Sequence, residues 1–315
     1  MQRQTMSKEA AAELQLRGAR RHELSSWRWG KSESLVAQTF QRLKRSKTAI
    51  FGLAIVNLLL VVSIFADVLA PYSPIHNAPS ATFQQPNGTH LLGTDQFGRD
   101  MLSRIIHGSR ISLAVGLSSV MLAIFVGVPL GIVSGFYGGK VDTLVMRAMD
   151  LILAFPVFLL AIILMVMFTP TAGIIGSMKV ISAIAVVRIP IFARLVRGSV
   201  LSIKEKEYIE ACRAVGQHDV KVLFWHILPN CMAPIIVTAT LGIATAIIVE
   251  ASLSFLGLGT QPPTPSWGWD LKANVAWIQA NPWLALGPGF AIFVTVQGFN
   301  LFGDGLRDAL DSRLK

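Results

Sequence analysis

Long apolar runs constrain this chain more than any other feature. A membrane-crossing helix needs about 20 predominantly apolar residues. Six stretches of this sequence qualify: residues 49–70, 111–136, 144–168, 174–200, 230–255 and 284–302. Hydrophobic residues make up 52% of the 315 and charged residues only 15%, against about 25% charged in an average soluble protein. With a mean hydropathy of +0.55, the apolar material exceeds what one soluble core could bury, and lipid must cover the rest. The expected fold class is all-α: an integral membrane protein with six transmembrane helices. The expected divisions are a basic cytoplasmic tail (1–48), a first transmembrane helix (49–70), an extracytoplasmic segment (71–110), a core with five further spans (111–303) and a cytoplasmic C-terminal tail (304–315).

Charge placement orients the spans. Residues 1–48 hold eleven Lys/Arg against four Glu, directly before the first apolar run, which reads as an inside anchor under the positive-inside rule. Six spans then return the C-terminus to the cytoplasm. The loop between the fourth and fifth spans is basic, with Lys204, Lys206, Arg213 and Lys221, and Arg194 and Arg197 just before it. Residues 71–98 carry no Lys or Arg, and residues 257–283 carry only Lys272. The net charge of +10 therefore points to a membrane rather than to nucleic acid, as no aromatic and basic residues interleave in the manner of a single-strand binder. Arg99, Arg104 and Arg110 strain this pattern at the outer end of the second span. They require partners such as Asp95 or Asp100, or lipid phosphates. The first apolar run begins near Thr48, too deep for a cleavable signal.

Motifs for catalysis are missing. No GxxxxGK[ST] loop is present to cradle a nucleotide, and no HExxH or GxSxG. The six histidines are scattered, and Cys212 and Cys231 lie 19 apart without metal-ligand spacing. No catalytic residue and no metal site is expected. Ionisable residues inside spans are few. Arg188 sits within the fourth span, and Asp150 and Glu250 lie near the ends of the third and fifth. Each is a pathway candidate or half of a structural ion pair, Asp150 for instance with Arg147 one turn away. The spacing Gly127-xxx-Gly131-xxx-Gly135 allows close helix approach, either in ordinary packing or at a dimer contact. Trp267, Trp269, Trp277 and Trp283 crowd the last outer loop, and at least two suit an interfacial aromatic belt.

The segment IKEKEYIEACRAVGQHDVKVLFWHILP (203–229) is the most informative loop. Apolar and charged residues alternate at helical spacing up to Gly216, a helix-ending glycine. Asp219 can cap a second short helix over 220–227, ended by Pro229. The expected form is a helix–turn–helix at the cytoplasmic face, either docking into a partner's groove or lying on the membrane surface.

Glu210-Ala211-Cys212, Gly216 after three more residues, and Leu228-Pro229 resemble the EAA loop of ABC-importer permeases. Cys212 replaces an alanine of that pattern and His226 replaces an isoleucine. LLGTDQFGRDMLSRIIHGSRISL (91–113), SFLGLGTQPPTPSWGWDL (254–271) and FNLFGDGLRDALDSRLK (299–315) resemble the second permease of dipeptide and oligopeptide importers. The resemblance runs from about residue 38 to 315. It implies the type I (MetI-like) permease fold with a cytoplasmic coupling helix over about 204–218. It implies ATPase contacts by Glu207, Tyr208, Glu210, Ala211, Cys212, Ala214, Gly216, His218 and Asp219. The implied partners are a second homologous permease, two ATPase subunits that hold ATP and Mg2+, and an extracytoplasmic binding protein. That binding protein should meet residues 71–110 and 257–282. This chain would bind no cofactor and reside in a bacterial or archaeal plasma membrane. Peptides are the first expectation for the cargo; nickel chelates, glutathione, opines and oligosaccharides use the same branch. A secondary transporter, the reading from another class, would lack the docking helix and carry charges along its pathway.

Overall fold

The computed structural model describes residues 41–167 and 173–310. Most of the basic tail, the end of the third apolar run and residues 311–315 lie outside the described residues. Among the described residues the chain is helical, without a β-sheet. The elements are α1 (Lys47–Ile64), α2 (Ala66–Leu69), α3 (Met101–Tyr137), α4 (Gly139–Leu153), α5 (Val157–Met167), α6 (Gly173–Lys204), α7 (Glu207–Ala214), α8 (Asp219–Val222), α9 (Leu228–Phe255), α10 (Trp267–Asn274) and α11 (Trp283–Leu310).

Four segments are long and apolar enough to cross a membrane: α1, α3, the run from α8 through α9, and α11. The third expected span is not one helix. α4 and α5 meet at 88° because Pro156 interrupts the run: proline has no N–H to donate and its ring crowds the preceding turn. Taken together, the pair is long and apolar enough for a fifth segment that enters the membrane, either as a broken span or as a re-entrant loop. The fourth expected span is the continuous 32-residue α6, which carries Lys179, Arg188, Arg194, Arg197 and Lys204 among its apolar residues.

Glycine lets the long helices touch. A Cβ on Gly127 would lie 2.7 Å from the carbonyl oxygen of Ile189, one on Gly131 2.5 Å from that of Ala193, and one on Gly135 2.9 Å from Val200 Cβ. The four-residue glycine stripe of α3 thus seats α6 of the same chain, which settles it as internal packing. α1 approaches α11 in the same way, with Gly52 against the backbone of Gly298 to Phe302.

The helix α3 starts ten residues before the expected span. Asp100 caps it, its Oδ2 accepting from the Ser103 amide at 2.8 Å. At 37 residues it is about 55 Å long, more than the roughly 30 Å of a hydrocarbon core. Its first ten residues therefore continue past the apolar zone and hold Arg104 and Arg110, with Arg99 just before the cap. Arg99 binds Asp95 at 2.6 Å, as expected. The other two partners are not the neighbours in sequence. Arg104, fully buried, binds Asp270 on α10 at 2.5 and 2.8 Å and donates to the Pro74 carbonyl. Arg110 binds Asp67 and donates to the carbonyls of Ser63 and Ile64 at the end of α1, where a cation suits the free carbonyls.

Candidate functional site

Local sequence signals shape the first helix of the 203–229 segment. Glu207 and Glu210 lie in the first turn of α7 and Arg213 in its last, which matches the helix dipole at both ends. Gly216 stops the helix at φ +79°. Its N–H donates to the Arg213 carbonyl at 2.9 Å, and the Gln217 N–H to that of Cys212 at 3.0 Å. These bonds satisfy carbonyls that a helix end otherwise leaves open, and the left-handed conformation favours glycine. α8 follows at once. Asp219 is its first helical residue rather than its cap; His218, in extended conformation, precedes it and makes no side-chain capping bond.

The second short helix does not stop at Pro229. A π turn over Leu223–Ile227, closed by the Leu228 N–H on the Leu223 carbonyl, joins α8 to α9 without a break. Pro229 falls in the first turn of α9, and the π turn supplies the extra residue of slack there. π turns are rare and usually sit at functional places.

One side chain of α7 is buried, Ile209, and it is fully so. It packs into an apolar cluster with Val128, Ile132 and Phe136 of α3, Val196, Val200 and Ile203 of α6, Val222, Leu223 and Ile227 around the π turn, and Cys231 and Ile235 of α9. Arg213 lies over the Phe136 ring at 4.9 Å, a contact suited to a guanidinium on an aromatic face. The remaining expected coupling residues are presented outward. Glu207, Tyr208, Glu210, Ala211, Ala214, Gly216, His218 and Asp219 are exposed, with Cys212 half-buried. Val215 at the tip is 88% exposed. A cleft of about 520 Å³ between the two short helices is lined by Ala211, Cys212, Val215, Gly216, Lys221 and His226. The arrangement is a rigid, exposed protrusion whose root is clamped to three long helices. It is suited to receive a push from a partner and to pass it on.

The three internal ionisable candidates are not brought together. Asp150 binds Arg194 of α6, not Arg147, and both side chains are about half exposed. Glu250 is fully buried and accepts hydrogen bonds from Ser112 at 3.1 Å, Ser254 at 2.8 Å and Ser266 at 3.0 Å. Its carboxyl group ties α3, α9 and the loop before α10 together. Arg188 is 9% exposed on α6, and among the described residues no hydrogen bond or ion pair reaches it.

The segments 71–100 and 257–283 form a cap around the start of α3. Trp267 is a core residue here, 1% exposed, its indole N–H donating to the Ile105 carbonyl at 2.9 Å. Gly108 makes room for its ring. Trp269 lies under the Lys272 ammonium at 4.9 Å. Trp277 and Trp283 are exposed at 42% and 49%, the two that fit an aromatic belt. Burial raises the pKa of the Asp270 carboxyl, against the lowering effect of Arg104 beside it. Sequence reasoning missed Asp67 and Asp270 as arginine partners; they lie 43 and 166 residues from Arg110 and Arg104.

Known proteins share this pattern. The family model described as binding-protein-dependent transport system inner membrane component matches residues 127–315. A second model, the N-terminal TM domain of oligopeptide transport permease C, matches residues 34–86. The dipeptide transport system permease protein DppC of Alkalihalophilus pseudofirmus is 46% identical over 278 residues, 88% of this chain and 90% of that protein. The glutathione transport system permease protein GsiD of Pectobacterium atrosepticum is 42% identical over 277 residues, 88% of this chain and 90% of that one. In structure, a chain of the inward-facing MetNI methionine ABC transporter superposes with a TM-score of 0.55 at 20% identity. It covers 67% of this chain and 98% of its own length, a likeness of fold.

Proposed function

Because this chain belongs to the family of binding-protein-dependent transport system inner membrane components, we propose that it forms one half of the translocation path of an ATP-driven importer for short peptides. The observation that carries this reading is the protrusion formed by α7, Gly216 and α8, exposed at its tip and anchored at its root by Ile209. ATP and Mg2+ belong to separate ATPase subunits, and a second permease completes the path. An extracytoplasmic binding protein delivers cargo to the cap built from 71–100 and 257–283. Both chain termini lie on the ATPase side.

ATP binding draws the ATPase subunits together and moves the two protrusions they hold. Alternating access requires that nucleotide bind the outward and inward states with different affinity. The peptide cargo follows from the dipeptide and di/tripeptide permeases among the relatives. Glutathione, itself a small peptide, is the second reading, carried by the glutathione permeases at similar identity.

The test is to purify the tagged chain in mild detergent, identify what stays bound, and measure uptake after reconstitution. ATPase subunits and a second permease should co-purify, and dipeptide uptake should require ATP. Gly216→Pro, which cannot adopt φ +79°, should abolish uptake while membrane insertion persists. Uptake by this chain alone, without ATP, would reject the coupling reading in favour of a secondary carrier.

A further inference from the structure

Arg188 stands apart from every other buried charge among the described residues. Asp95, Arg99, Asp100, Arg104, Glu250 and Asp270 are each hydrogen-bonded or ion-paired. Among the described residues, no hydrogen bond or ion pair reaches the Arg188 guanidinium, although it is 9% exposed. It occupies the midpoint of the 32-residue α6, sixteen residues from Lys204 and about 24 Å from it along the axis. A guanidinium keeps its charge and its five N–H donors, so an unpaired one in a helix bundle is strongly unfavourable by itself.

The space around it is built for it. A Cβ on Gly242 of α9 would lie 2.9 Å from an Arg188 terminal nitrogen and 3.6 Å from Val120 of α3. Glycine at this position admits the guanidinium between α3, α6 and α9. Two turns along the same face of α6 lies Leu195, and Leu241 adjoins Gly242. Both line a cleft of about 410 Å³ together with Val237, Thr238 and Arg307. One cation, Arg307, thus lines the cleft. The acid of α9, Glu250, is eight residues or about 12 Å farther along, with its oxygens already engaged.

We propose that Arg188 receives the carboxylate of a short peptide as it passes along the path that this chain forms with the second permease. The planar fork of a guanidinium matches a carboxylate in a bidentate pair, and every peptide with a free C-terminus carries one. The inference rests on the peptide-importer reading above and adds the group that the cargo meets midway.

The test uses the whole complex in proteoliposomes: this chain, the second permease, the ATPase subunits and the loaded binding protein, with a radiolabelled dipeptide. Arg188→Met should lower ATP-driven uptake at least tenfold. Subunit association, and ATP hydrolysis stimulated by the loaded binding protein, should stay within twofold of wild type. Arg188→Lys should keep at least a third of the uptake. Gly242→Ala, which displaces the guanidinium without removing its charge, should fall between the two. Arg188→Met uptake within twofold of wild type overturns the proposal. So does loss of subunit association in that variant, which reassigns Arg188 to an ion pair with another subunit. In both failures the wild-type complex still imports peptide. Failure of the wild-type complex itself overturns the peptide reading, and this inference with it.

Discussion

Replacing Ile209 by alanine isolates the link between the protrusion and the helices. Ile209 is the buried side chain of the eight-residue α7, and at 0% exposure all of it is packed among the branched side chains of α3, α6 and α9. Truncating a buried isoleucine to alanine costs about 2–5 kcal/mol, the transfer of the removed carbons plus the cavity left behind. A loss of about 2.8 kcal/mol, within that range, changes the ratio of docked to undocked α7 about a hundredfold. The three long helices do not depend on α7 for their own packing, so the complex should assemble. Hydrogen exchange across 207–214 should accelerate, and ATP consumed per dipeptide imported should rise as strokes fail to reach the helices. Ile209→Val, costing about 0.5–1.5 kcal/mol, should give a graded, smaller effect. Unchanged exchange over 207–214 and an unchanged ATP-to-peptide ratio in Ile209→Ala would refute the anchoring role.

Two further perturbations test the frame around this link. Gly131→Val places atoms where 2.5 Å already separates a bare Cβ from the Ala193 carbonyl; it should cost about 1–3 kcal/mol by overpacking and lower the melting temperature of the detergent-solubilised complex by several degrees. An unchanged melting temperature would argue against the close approach of α3 and α6. Asp270→Ala leaves Arg104 buried without its carboxylate and should cost about 3–5 kcal/mol. Adding Arg104→Met should recover most of that loss in thermal unfolding, and failure to recover would place the cost outside the ion pair.

Legibility followed the range of the physics. The protrusion could be read from local signals: helical spacing in 207–214, an abrupt glycine at 216, acids at the start and a base at the end. Its anchor residue was legible only as one apolar position among several, since burial depends on which helices come to meet it. The break of the third span carried its own signal in Pro156, but a run of 25 mostly apolar residues satisfies the length criterion with or without a bend. The continuation through Pro229 was hidden because a π turn leaves no mark in composition. Ion-pair partners were legible at four residues' separation, as for Arg99 and Asp95. They were not legible at 166, where Arg104 meets Asp270, since charge alone does not say which distant element folds back. For the same reason sequence could name Arg188, Glu250 and Asp150 together but could not tell the unpaired one from the paired.

The joint beneath α7 is made of branched aliphatic carbons, one phenyl ring and a thiol, without a hydrogen bond between its side chains. Close-packed interiors resist compression and transmit strain, yet dispersion contacts are non-directional and individually weak. Such a joint is stiff when squeezed and compliant when sheared. A thrust along the protrusion would pass into all three helices with little lost motion, whereas a sideways drag would let the side chains slide over one another and reseat. The direction in which a partner pulls would then matter more than how tightly it holds.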